Sequence, residues 1–251
     1  SSSSSSFTIK TKDDFKADNN ETFKLKITDI GNDEFENLVY NHTKGEVTTT
    51  IKDGVTLGTP TNAYVDEDKF YVNDLDGTNG GSTDKTNISD KQSLGIKNPN
   101  GDNAYTLSFA SKNGIPDIEV FKGNVDSKDG LNQLTSDGKI IQYKFADNNN
   151  KSIIIGYVKK DGGGTEDVFK ITLNKNSSLV SGLNPDKVTQ DSYTYTQYKN
   201  IDHPVAGDAT NSINDDNITF EFGFKITDQD STSKVQKFKV TVNDSTPIAG
   251  E

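Results

Sequence analysis

Asn217-Ile218-Thr219-Phe220-Glu221-Phe222-Gly223-Phe224-Lys225-Ile226-Thr227 decides the fold. Ile218, Phe220, Phe222, Phe224 and Ile226 recur at every second position, with polar residues or glycine between them. Side chains of an extended strand alternate between faces, so this period of two makes one apolar face and one polar face. The stretch 234–243 that follows sets Phe238, Val240 and Val242 on a common face, as expected of a neighbouring strand.

The same period runs outward from this pair. Phe23, Leu25 and Ile27 share a face, as do Tyr105, Leu107 and Phe109, then Ile141, Tyr143 and Phe145, then Phe169, Ile171 and Leu173. Ile153, Ile154 and Ile155 form a continuous apolar run, the pattern of a strand buried on both sides. Ser136-Asp137-Gly138 reads as a hairpin turn, because Asp-Gly accepts positive φ at low cost. Asp161 followed by Gly162, Gly163 and Gly164 reads as a second, looser hairpin. It has no following helix with Lys and Ser or Thr, so it is not a phosphate cradle. No segment has the period of an amphipathic helix. The fold class is therefore all-β.

Composition narrows the function. Only 30% of the 251 residues are apolar, against an ordinary ~45–50%, so the core must be thin and spread along an extended body. The 38 acidic and 27 basic residues leave a net charge of −11, which disfavours nucleic acid or an anionic membrane surface as partner. No segment approaches the ~20 apolar residues of a membrane-spanning helix. Cysteine is absent, so neither disulfides nor thiolate zinc sites can staple the fold. The acidic surplus is mostly Asp beside Asn and Gly in turns, where short carboxylates and turning carbonyls suit a hard cation such as calcium. Ordinary turn chemistry accounts for any one such loop. Several at strand ends favour calcium, which would supply the missing staple.

Two segments end alike. Thr48 to Asp53 and Lys239 to Asp244 are each a β-rich run closing on an Asp, with Pro60 or Pro247 a few residues beyond. Modules strung head to tail explain this grammar. The reading is residues 1–6 as a low-complexity linker, 7–56 as the closing strands of one module, 57–248 as a larger module, and 249–251 as a linker onward. Residues 7–55 are too few for a complete sandwich and must cover their apolar face against something.

The larger module resembles a repeat of giant bacterial adhesins exported by type I secretion, the RTX and biofilm-associated surface proteins. The carriers are Ala63-Tyr64-Val65-Asp66-Glu67-Asp68, Ser108-Phe109-Ala110, Ile201-Asp202-His203-Pro204 after Tyr193–Tyr198, Ile218 to Asp230, and Val240 to Asp244, in the family's order. The first segment is similar to the tail of a Calx-beta or other immunoglobulin-like adhesin repeat, on Thr11 to Asp14, Glu21-Thr22-Phe23 and Thr48 to Asp53. The resemblance implies immunoglobulin-like, antiparallel β-sandwich modules in tandem. It also implies an extracellular place on a bacterial surface, neighbouring adhesin modules as partners, and a role in attachment and biofilm formation. Ser231 stands where the family has glycine after Asp230, and Lys69 and Phe70 follow Asp68.

Candidate metal ligands follow. Asp228 and Asp230 alternate in the turn between the two clearest strands and can converge on one ion. Asp66, Glu67 and Asp68 lie at the start of the larger module; strand directions leave open whether they share that end. Asp53 and Asp244, at the junctions, are natural third contributors to an ion that locks neighbouring modules together. Asp74, Asp76 and Asp84 bracket a glycine-rich loop that lacks EF-hand spacing. His203, before Pro204, fits a packed turn residue better than a ligand. Tyr193 and Tyr195 share one strand face, where a core role is commoner than a binding surface.

No nucleophile elbow is present, and a chain without Trp lacks the usual sugar-stacking platform. The chain therefore reads as a non-enzyme. Two functions compete: a calcium-stiffened extender, and a calcium-dependent receptor for a host or biofilm peptide or glycan, with Asp84, Tyr193, Tyr195 and His203 lining its site.

Overall fold

The computed structural model describes residues 8–10, 15, 21–27, 45–51, 54–70, 87–98, 104–122, 134–176, 178, 188–203, 217–228 and 232–244. Among them the chain is all-β, with one short 3₁₀ turn, Glu67–Phe70. In chain order the strands are β1 (Thr22–Lys26), β2 (Glu46–Thr50), β3 (Ala63–Asp66), β4 (Ile88–Ser93), β5 (Thr106–Phe109), β6 (Ser111–Lys112), β7 (Ile115–Pro116) and β8 (Ile118–Lys122). They continue with β9 (Thr135–Ser136), β10 (Lys139–Ile140), β11 (Gln142–Phe145), β12 (Ile153–Lys159), β13 (Thr165–Asn174), β14 (Ser192–Gln197), β15 (Ile218–Thr227) and β16 (Gln236–Asn243).

Two sheets face each other. The first has the order β11-β12-β13-β14-β4, antiparallel throughout. The second runs β3-β16-β15, and the far edge of β15 is shared by β5 and β8. Its one parallel pair is β3 with β16, from Ala63 opposite Val240 to Asp66 opposite Asn243.

The alternation around residue 222 is what closes this sandwich. Ile218, Phe220, Phe222, Phe224 and Ile226 are all buried, and their inner face meets the first sheet. The Phe169 ring lies 5.0 Å from Phe220 and 5.4 Å from Tyr195, and Tyr193 stacks on Phe238 at 3.7 Å. Each such ring contributes about 2 kcal/mol by leaving water, so a lean composition suffices when its apolar residues collect on two inner faces. Gly156 makes the fit possible: it stands opposite Phe169, and a Cβ there would lie 2.7 Å from the ring's Cδ1 and Cζ.

Both sequence-read hairpins form. Asp137 and Gly138, with φ of 52° and 70°, join β9 to β10 as a two-residue turn. Gly162, Gly163 and Gly164, all at positive φ, lie in the connection from β12 to β13. A third, at Asn113-Gly114 (φ 53° and 81°), joins β6 to β7. That hairpin interrupts what is otherwise one long partner of β15; Ala110 N–H donates to Gly223 O at 2.7 Å beside the break. The run Ile153–Ile155 differs from expectation. Ile154 is buried but Ile153 and Ile155 are half-buried, so β12 faces the core on one side only.

The first segment forms a separate two-stranded sheet, β1 with β2. Its Leu25 and Val47, paired across the strands, are 38% and 57% exposed. Phe15 and Val55 by contrast join the buried core of the sandwich, and Leu57 N–H donates to Phe15 O at 3.3 Å. No helix among the described residues is long and apolar enough to cross a membrane.

Candidate metal centre

The parallel pairing of β3 and β16 positions the site. Both strands run toward the same end of the sandwich, here called the outgoing pole, and deliver Asp66 beside Asn243. The next residue of each chain segment is an acid, Glu67 and Asp244. β14 ends at this pole too, and Gln197 at its end is buried. The chain then turns through Ile201 to His203.

Glu67 is fully enclosed, and one of its two oxygens is committed. Oε1 accepts the Ile201 backbone N–H at 2.9 Å and a hydrogen bond from Gln197 Nε2. Gln197 is itself held, its Oε1 accepting the Tyr195 hydroxyl at 3.1 Å and its Nε2 also donating to Lys199 O. Oε2 accepts no hydrogen bond from any described residue. It faces His203 Nε2 at 3.5 Å, with the two side chains 0% and 2% exposed. The donor atoms of Glu67, His203 and Asp244 all lie within 4.8 Å of one another.

Burial dominates the electrostatics. It raises the Glu67 pKa, against the opposing pull of His203, the Ile201 N–H and Gln197. Burial also pushes the Tyr195 hydroxyl well above its usual range, helped by the nearby Glu67 charge. A buried carboxylate oxygen that faces an imidazole at 3.5 Å is satisfied by a proton on either group or by a cation.

The predicted residues divide between the poles. Asp66 is buried at the end of β3, Asp68 lies in the 3₁₀ turn, and Asp244 is half-buried after β16, so these stand at the outgoing pole. Asp228 follows β15, which is antiparallel to β16, and so stands at the opposite, incoming pole. Ten strand residues separate the two ends, about 30 Å at ~3.3 Å per residue. Asp228 and Asp244 of this sandwich therefore stand at opposite poles. Asp53, Asp74, Asp76, Asp84 and Asp230 lie outside the described residues. Tyr193 and Tyr195 are fully buried and belong to the core, not to a ligand surface; the Tyr193 hydroxyl donates to Thr61 O at 2.7 Å.

Among the described residues the outgoing pole groups a mixed donor set. Calcium takes six to eight oxygens, whereas the grouped donors are two carboxylates and an imidazole nitrogen. His203, read as a packed turn residue, lies within reach of both acids. Asp191, which the sequence reading passed over, is a buried carboxylate of another kind. It accepts hydrogen bonds from the Tyr105 hydroxyl, from Thr189 Oγ1 at 2.7 Å and from Asn176 N–H at 2.5 Å, and so pins the start of β14.

Comparison with protein-family models, curated proteins and solved structures returned no match for this chain.

Proposed function

We propose that the chain is an extender module of a bacterial surface adhesin, secreted to the cell exterior and built of immunoglobulin-like sandwiches in tandem. One observation carries this reading: the first and last strands of the sandwich, β3 and β16, are parallel. Parallel terminal strands bring the polypeptide in at one pole and send it out at the other, which is what a head-to-tail array requires. The enclosed aromatic core supports a mechanical part over a receptor, since it withdraws Tyr193 and Tyr195 from any binding surface. Calcium belongs in this proposal with Asp228, at the incoming pole, and with the Asp230 and Asp53 that the sequence reading joins to it.

Small-angle scattering and thermal unfolding, each with calcium and with chelator, test it. The expected result is an elongated particle whose melting temperature rises with calcium. A compact particle refutes the extender, and a melting temperature indifferent to calcium refutes the ion.

A further inference from the structure

We infer that Glu67, His203 and Asp244 form a binding site for a single transition-type divalent cation of zinc-like preference at the outgoing pole. The donor set selects the class. An imidazole nitrogen with two carboxylate oxygens suits zinc and its neighbours, and three protein ligands leave a fourth position for water.

The geometry agrees. Around a tetrahedral cation with bonds of about 2.0–2.2 Å, adjacent ligand atoms stand about 3.3–3.6 Å apart. Glu67 Oε2 and His203 Nε2 are already 3.5 Å apart, and Asp244 needs only a side-chain adjustment from within 4.8 Å. The surroundings of Glu67 are those of an oriented ligand. Its Oε1 is fixed by Ile201 N–H and Gln197, which Tyr195 fixes in turn. Such outer contacts hold a ligand's free oxygen in place. That oxygen is enclosed, accepts no hydrogen bond from the described residues, and faces His203 Nε2.

The three residues are distant in sequence, so the cation would clasp the start, the His203 turn and the end of the sandwich. The inference does not depend on the extender reading, whose failure in scattering would leave it standing.

The test uses the whole chain, stripped with chelator and titrated with Co2+ and Zn2+. Tetrahedral Co2+ should give intense visible bands at one equivalent, displaced by Zn2+ but not by equal Ca2+ or Mg2+. Zn2+ at a hundredfold excess over its Kd should raise the melting temperature by about 5–10 °C. His203→Ala, Glu67→Gln and Asp244→Asn should each abolish the bands, whereas His42→Ala should retain them. Asp244→Asn lies after the last strand and leaves the core intact, so it remains informative if Glu67→Gln misfolds. Absence of bands in the unaltered chain, their persistence in Asp244→Asn or His203→Ala, or displacement by equal Ca2+ would overturn the assignment.

Discussion

Gly156→Ala should destabilise the sandwich by more than its single methyl suggests. Gly156 pairs with Phe169 across β12 and β13, and the new Cβ would lie 2.7 Å from two ring carbons. Ordinary carbon contacts are about 3.5–4.0 Å, so the ring must withdraw by about 1 Å. It has nowhere to go: Phe220 lies at 5.0 Å, Tyr195 at 5.4 Å and Tyr143 at 6.0 Å between ring centres. Overpacking of this kind costs about 2–3 kcal/mol, or about 5–10 °C in melting temperature for a chain this long. Chelator-treated protein followed by circular dichroism, with the urea midpoint as a second measure, reads the effect. Phe169→Leu is the control. It destabilises alone, but adding Gly156→Ala to it should then cost almost nothing, a coupling of about 2 kcal/mol. Strict additivity, or a Gly156→Ala variant within about 0.5 kcal/mol of the parent, would refute the steric argument.

Two further outcomes follow from buried carboxylates. Asp191→Ala should cost about 2–3 kcal/mol in urea unfolding, because it leaves the Tyr105 hydroxyl, Thr189 Oγ1 and the Asn176 N–H without their buried acceptor. For Glu67, burial raises the folded-state pKa above its ordinary 4.5. Its contribution to the metal-free fold is therefore full below that value and is lost as pH rises through the folded pKa. Metal-free Glu67→Gln escapes this loss, so its stability relative to the parent should climb as pH rises from about 4.5 toward neutrality. A pH-independent difference in paired urea titrations would contradict the assignment of burial as the cause.

What could be read in advance was what depends on neighbours in sequence. The alternation at Ile218–Ile226 and at Phe169–Leu173 gave real strands with real inner faces, because burial of one face is a period-two property. Asp137-Gly138 and Gly162–Gly164 turned where expected, since positive φ is a local demand. Asn113-Gly114 carries the same turn chemistry, but the strands on either side are two residues each, too short to show an alternation. Ile153–Ile155 misled because three branched residues look alike whether one face or two is covered. The Glu67, His203 and Asp244 grouping was beyond reach for a different reason. Its members are separated by most of the larger module, and the pairing of β3 with β16, with the turn after β14, brings them to one pole. Tyrosine spacing pointed to the core correctly, but nothing in it announced that Tyr195 would reach Gln197 and, through it, Glu67.

The side-by-side, same-direction run of Ala63–Asp66 and Val240–Asn243 fixes how the sandwich answers a tug on its two chain ends. Antiparallel partners pulled from one end peel apart rung by rung. Here the force drags one ribbon lengthwise past the other, so all four rungs of the ladder resist together and must break nearly at once. A cation bridging Glu67 and Asp244 would bolt the same two ribbons where they leave the ladder, so resistance to stretching should rise and fall with metal.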